Sequence, residues 1–346
     1  MTASMLVNLA ILVVAALAAY AATALIRRNA ERLGVVQSPN SRSSHIIPTP
    51  SGGGVGIVLG GSIATAAATV TQPWPNVLLL VTALLVAAVG FYDDRRPLPA
   101  RVRLVAQLVL VGVAIGFGVP LDALQQQVGV PWPALVTAGL ALVAVVYWVN
   151  LFNFMDGIDG IAGSQAIFMC CSAALLGGVH APTFGTDTAC WVLLGIAAAT
   201  LGFLVQNWPP AKIFMGDAGS TYLGFAIAIL ALATIAGGWL SMPQWVILAA
   251  AFVADATVTL VRRLLLGERV FEAHRRHAYQ VLSRRWSSHR RVTLAFIAIN
   301  VVWLLPLAYV ARSLGWIAVA VAYLPLVGLA LYFGAGAPER PSLGRA

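Results

Sequence analysis

Asp93 and Asp94 stand side by side where an apolar run ends, in Gly90-Phe91-Tyr92-Asp93-Asp94-Arg95-Arg96. Two neighbouring carboxylates repel unless a cation or a base neutralises them. A second set lies in Asn150-Leu151-Phe152-Asn153-Phe154-Met155-Asp156-Gly157-Ile158-Asp159-Gly160, where two amides precede two acids and glycines let the chain turn sharply. Continued as a helical turn, this segment would put Asn153, Asp156 and, less directly, Asp159 on one face. In Lys212-Ile213-Phe214-Met215-Gly216-Asp217-Ala218-Gly219-Ser220 one acid, Asp217, sits among small residues that permit close approach of a ligand, and Lys212 could meet a phosphate. Oxygen ligands from separate loops, with no Cys or His among them, suit Mg²⁺, or Mn²⁺ in its place. Such an ion takes one or two carboxylates and completes its shell with water and substrate phosphate. The chemistry implied is that of a phosphate substrate.

Two further segments carry positive or polar groups. Arg262-Arg263, Glu268-Arg269 and His274-Arg275-Arg276-His277 make a cationic stretch fit to clamp a diphosphate. Ser38 to His45, which includes Arg42, and Pro48 to Gly54, which ends in three glycines, make a turn-rich polar loop whose side chains and exposed amides could touch phosphate or sugar.

These groups must be positioned by membrane spans. The chain is 60% hydrophobic and only 10% charged, with a mean hydropathy of +0.87, whereas a soluble domain is about 25% charged. That excludes a soluble globular protein and a disordered one. Eleven apolar runs predict helices at about 5–26, 54–71, 76–92, 104–119, 134–150, 164–179, 189–206, 219–237, 244–261, 292–311 and 314–334. No alternating segments of the kind a membrane barrel needs are present, so the expectation is an all-α, polytopic bundle of about eleven transmembrane helices. The first run is too long for a cleaved leader and is followed at once by Arg27 and Arg28, which predicts a retained span. Cys170, Cys171 and Cys190 lie in apolar runs and read as small hydrophobes.

The net charge of +9 does not point to nucleic acid, because the basic residues are sorted between loops. All 21 except Arg312 fall in alternate loops, which places those loops in the cytoplasm, the N-terminus outside and the C-terminus inside. The acid clusters lie at the same cytoplasmic ends. Residues 1–334 read as one transmembrane domain with cytoplasmic catalytic loops, and 335–346 as a short, disordered cytoplasmic tail.

From about Ser38 to Gln280 the chain resembles the polyprenyl-phosphate N-acetylhexosamine-1-phosphate transferases, glycosyltransferase family 4. The likeness rests on PNSRSSH with PTPSGGG, GFYDD, NLFNFMDGIDGIAG, NWPPAKIFMGDAGSTYLG and HRRHAYQ, in the family's order. It looks nearest to bacterial enzymes that start O-antigen or related cell-surface glycans, often with N-acetylfucosamine- or N-acetylquinovosamine-type sugars. Less close are the GlcNAc-1-phosphate and phospho-MurNAc-pentapeptide transferases.

The resemblance implies that undecaprenyl phosphate attacks a UDP-N-acetyl sugar, giving undecaprenyl-diphospho-sugar and UMP with Mg²⁺ as cofactor. It implies Asp217 as metal ligand, and Asp93 and Asp94 as the acidic pair that organises metal or the attacking lipid phosphate. Asn153, Asp156 and Asp159 would lie near nucleotide and metal, Asn207 and Phe214 would contact uracil, and His274 and His277, with Arg275 and Arg276 between them, would hold diphosphate or sugar. Membrane lipid and a second copy of the chain are further expected partners. Ser51 stands where the family often has a basic residue, and HRRH replaces the muramyl subgroup's run of histidines, which argues against that substrate. Asp255 matches an acid often present in the family, with no role assigned.

A phosphate monoester has a second pKa near 6 and is largely ionised at neutral pH, so holding two anions together matters more than a strong base. Asp93 as base remains one hypothesis. Three other readings stay open at this level. A prenyltransferase would space its acids by two or three residues, a CDP-alcohol phosphotransferase would show its own Asp-rich helix, and a transporter or flippase would carry acids at mid-span in related halves.

Overall fold

The computed structural model describes residues 3–37, 48–129, 132–180, 188–268 and 274–338. Each of the eleven apolar runs forms helix. In chain order these are α1 (Ala3–Arg28), α3 (Gly54–Ala68), α4 (Pro73–Arg95), α5 (Ala100–Gly118), α7 (Ala134–Phe154), α8 (Ile161–His180), α9 (Thr188–Asn207) and α10 (Gly216–Ala236). The pair α11 (Met242–Leu248) and α12 (Ala250–Leu265) follows, then α14 (His289–Ala298) running into α15 (Leu305–Leu314), and α16 (Trp316–Tyr332). Three short helices lie between them: α2 (Ala30–Leu33), α6 (Leu121–Val128) and α13 (Ala278–Trp286). Among the described residues, eight helices are long and apolar enough to cross a membrane, the α11–α12 pair makes a ninth if counted as one span, and α3 and α16 are apolar but shorter.

Two spans depart from the straight helices expected. The run at 244–261 breaks between α11 and α12, which meet at 73°. A break in hydrocarbon strands backbone groups, and here the Leu248 carbonyl accepts a hydrogen bond from Gln165 Nε2 of α8 at 3.0 Å. The second departure is a π-helical turn, Ile299–Leu304, between α14 and α15. It lies just before Pro306, whose ring cannot donate to the preceding turn.

Small residues set the packing. Added Cβ atoms at Gly60 and Gly202 would lie 2.4 and 2.1 Å from the carbonyls of Ala15 and Ala16, so α1, α3 and α9 touch backbone to backbone. Helix α10 is the hub: 83% of its most apolar stretch is buried, against 17% for α1. On the periphery, large apolar side chains such as Leu17, Val105, Val143 and Leu201 face outward. Such a surface suits lipid rather than water, and the protein is a multi-pass membrane protein.

Strands β1 (Val36–Gln37) and β2 (Thr49–Pro50) pair antiparallel, Val36 with Pro50 and Gln37 with Thr49. They bracket residues 38–47, so Arg42 and His45 lie outside the described residues. Past α16 the described residues up to 337 are docked on the bundle, while 339–346 of the expected tail lie outside the described residues. Ala335 is buried, its carbonyl accepts from Arg262 Nη1, and the Gly336 N–H bonds the Arg276 carbonyl at 2.8 Å.

Candidate active site

The acid clusters meet at one end of the bundle, around the start of α10. Asp217 lies in its first turn. One oxygen accepts from Asn153 Nδ2 at 2.9 Å, and the other lies 3.3 Å from Arg103 Nη1. The same Arg103 nitrogen is 2.5 Å from Asp93 Oδ2, while Asp93 Oδ1 accepts the Leu98 N–H at 2.6 Å. Arg103 thus stands between two carboxylates that would otherwise repel.

Asp94 is placed differently from its neighbour. Its two oxygens accept the N–H groups of Asp217 and Ala218, at 2.8 and 3.1 Å, so it closes the open end of α10 from across the α4–α10 crossing. Gly216 makes room for this, since its φ is +76° and a Cβ there would lie 2.7 Å from Asp94 Oδ2. Of the two acids expected to hold metal, Asp217 keeps an exposed edge while both Asp94 oxygens are engaged by amides.

The segment from 155 to 160 does not continue the helix. Helix α7 ends at Phe154, so Asn153 sits on its last turn and Asp156 and Asp159 lie in a bent loop. The two glycines and the wide turn at Gly160, φ +75°, override the helical continuation. Asp156 makes no side-chain hydrogen bond among the described residues. Burial, and then the nearby charges of Asp217, Asp94 and Asp159, push its carboxyl well above the ordinary range. Asp159 is tied down instead. Its Oδ2 accepts the Ala211 N–H at 3.0 Å, its Oδ1 lies 3.2 Å from His289 Nδ1, and its carbonyl accepts from Thr293.

Asn207 is buried, and its amide is spent at both ends. Oδ1 accepts the Gly160 N–H and Nδ2 donates to the Ile213 carbonyl, each at 2.9 Å, so it braces the two site loops. Phe214 is half-buried, and Lys212 is exposed with its backbone N–H bonded to Gln206. The glycine run is a packing device. The N–H groups of Gly53 and Gly54 donate to the carbonyls of Phe214 and Met215, which leaves neither amide open to a phosphate.

In the histidine segment, His277 is buried at the start of α13, with Nδ1 3.4 Å from Asp255 Oδ1. His274 is half-buried, and its ring lies 4.8 Å from that of His277. Burial, with the positive fields of His277, Arg263 and Arg276, lowers its pKa to about 3, so it is neutral at physiological pH. Its Nδ1 accepts the Arg276 N–H at 3.3 Å, which leaves Nε2 as a donor. Arg276 pairs with Glu268 at 2.6 Å, and Arg263 holds the same carboxylate at 3.1 Å. The two arginines lower the Glu268 pKa, Arg276 the more strongly. Arg275 makes no ion pair among the described residues, so it is the segment's available charge.

Beside the carboxylates opens a small cleft between α4, α5, α7 and α10. Asp93, Arg103, Asn153 and Asp217 line it together with Gln107, Asn150 and Thr221, and Val86, Val89, Ala106, Leu110 and Phe154 supply its apolar wall. The described residues hold no ready-made group of three His, Cys, Asp or Glu around one point. They do hold two oxygen donors, Asp217 and the unpartnered Asp156, and that set fits a hard divalent ion that keeps most of its water.

Arg103 and His289 were not singled out by the sequence as site residues. A signal for Arg103 exists in retrospect. The turn at Pro97-Leu98-Pro99 reverses the chain between α4 and α5, and so brings position 103 back beside position 93.

A sequence model of glycosyl transferase family 4 matches residues 76–235. The chain is 30% identical over 348 residues to the decaprenyl-phosphate N-acetylglucosaminephosphotransferase of Mycobacterium tuberculosis, covering 88% of this chain and 85% of that protein. It is 31% identical over 290 residues to the undecaprenyl-phosphate alpha-N-acetylglucosaminyl 1-phosphate transferase of Yersinia pestis, covering 79% and 75%. To a probable undecaprenyl-phosphate N-acetylglucosaminyl 1-phosphate transferase of Bacillus subtilis it is 26% identical over 312 residues, covering 88% and 85%. With the acid motifs assembled as one site and two thirds or more of these relatives covered, the chain belongs to glycosyl transferase family 4, the polyprenyl-phosphate N-acetylhexosamine-1-phosphate transferases.

Proposed function

We propose that the protein moves an N-acetylhexosamine-1-phosphate from a UDP-sugar to undecaprenyl phosphate at the cytoplasmic face, releasing UMP. This would be the first membrane step of O-antigen or another cell-surface glycan. The observation that carries this reading is the cleft, where the apolar Val86, Val89, Ala106, Leu110 and Phe154 stand beside Asp93, Arg103, Asn153 and Asp217. That combination fits an acceptor with a hydrocarbon chain and a phosphate head.

Asp217, with Asp156, would hold Mg²⁺ or Mn²⁺, and the bound ion would supply charge neutralisation for the donor diphosphate. Asn153 orients the Asp217 carboxylate, and Arg103 is placed to meet the acceptor phosphate at the mouth of the cleft. Arg275 and the Nε2 donor of neutral His274 are the groups of the histidine segment suited to donor oxygens. A largely ionised phosphate needs no strong base, so the residues act chiefly by holding two anions in line.

The test is UMP release by the purified protein in detergent with undecaprenyl phosphate, across a panel of UDP-N-acetyl sugars, with Mg²⁺ and with EDTA. UDP-GlcNAc heads the panel because the relatives are named for that sugar, followed by the 6-deoxy sugars to which the sequence pointed. Lipid-dependent UMP that EDTA abolishes is expected. UMP unaffected by EDTA would reject the metal, and none from any sugar would reject the reaction.

A further inference from the structure

Asp255 carries no part of the chemistry above, yet it is a carboxylate buried to 3% exposure in the bent ninth span. Such an acid is costly in a membrane bundle unless its oxygens are satisfied. Here the start of α13 supplies both backbone donors. Oδ1 accepts the Ala278 N–H at 2.8 Å and Oδ2 the Tyr279 N–H at 2.9 Å, with Thr259 Oγ1 at 3.2 Å and His277 Nδ1 at 3.4 Å from Oδ1. The carboxylate therefore grips the first turn of α13, directly behind the histidine segment.

The same turn reaches the catalytic loop. Tyr279 is fully buried, and its hydroxyl donates to the Phe154 carbonyl at 2.9 Å, one residue beyond Asn153 and two before Asp156. A Cβ at Gly157 would lie 2.1 Å from that hydroxyl, so the loop backbone lies against it with no slack. The Asp156 N–H in turn bonds the Asn153 carbonyl at 3.2 Å. On the far side, the Gly336 N–H holds the Arg276 carbonyl. An unbroken series of contacts thus runs from Asp255 through α13 and Tyr279 to the loop carrying the unpartnered carboxylate.

We propose that Asp255 and Tyr279 are positioning residues: together they lock the histidine segment and the 155–160 loop into one unit, setting Asp156 and His274–Arg275 at a fixed separation for the metal and donor diphosphate. This rests on the reading of Asp156 as a metal-binding group. It predicts an effect on the metal and donor side that spares the acceptor side, where Asp93 and Arg103 belong to other helices.

The experiment uses full-length protein in detergent, with Tyr279→Phe and Asp255→Asn made singly and together. Mn²⁺ binding is measured without substrates, from the EPR signal of the free ion, alongside kcat and KM for each substrate. Tyr279→Phe should stay folded and weaken Mn²⁺ binding about tenfold. It should lower kcat or raise KM for the UDP-sugar while leaving KM for undecaprenyl phosphate unchanged. The double variant should be no worse than the poorer single one, because both cut the same connection. A folded Tyr279→Phe protein with wild-type Mn²⁺ affinity and kinetics overturns the proposal, as does simple additivity or an equal rise in both KM values. If Asp255→Asn does not fold, Tyr279→Phe decides alone. Absence of Mn²⁺ binding by the wild type rejects the metal reading itself, and the proposal with it.

Discussion

The acid pair at 93 and 94 divides its labour in a way that adjacency in sequence conceals. Asp94 is a structural cap, and Asp93 faces the cleft and a guanidinium. Arg103 is the residue that makes this arrangement electrostatically tolerable, since one nitrogen lies within 3.3 Å of both Asp93 and Asp217. Arg103→Gln removes the cation between them and the group placed to meet the acceptor. It should lower kcat/KM for undecaprenyl phosphate about 100-fold, the usual cost of losing one such group. The UMP assay at fixed Mg²⁺ checks this, and an unchanged value would remove Arg103 from the site. The residue types were legible in the sequence, because acids, amides and arginines at span ends announce phosphate chemistry. Which acid caps a helix was not, since that depends on the crossing of α4 and α10, a contact between residues more than a hundred positions apart. Asn207 and the glycine run taught the same lesson, because their polar groups are consumed by neighbouring loops.

The elements were readable where hydrophobic runs alone decide them, and less so where tertiary contacts do. All eleven runs became helices, yet the bend at Leu248 and the π turn before Pro306 depend on partners such as Gln165 that periodicity does not reveal. The loop at 155–160 escaped for a related reason, because glycine at 157 and 160 outweighed the spacing that suggested a helical face. Close crossings carry the sharpest prediction at this scale. A Cβ at Gly54 would lie 2.4 Å from the Gly219 Cα, so α3 and α10 meet backbone to backbone beside Asp217. Gly54→Ala should cost about 3 kcal/mol by forcing the helices apart. The expected result is a lowered thermal midpoint in detergent and loss of turnover even in the folded fraction. Unaltered stability would show that the crossing has slack.

For the molecule as a whole, the sorting of basic residues gave an orientation and the packing gave a centre. The acid clusters and the histidine segment lie at the same end of the bundle, and this follows if alternate loops share one side of the membrane. The prediction is direct. A cysteine introduced as Arg312→Cys, in protein lacking its native cysteines, should react with an impermeant thiol reagent on intact cells, and one introduced as Lys212→Cys should not. The reverse pattern would invert the topology. One consequence of the cap on α10 reaches the energetics of the entire site. The positive end of a helix macrodipole is a common resource for binding phosphate, and here Asp94 occupies it permanently. The encounter of two anionic substrates in the proposed reaction therefore draws no net attraction from the α10 dipole. Its attraction would come instead from bound cations and from arginines such as Arg103, which ties the proposed activity to the ionic composition of the medium at its surface.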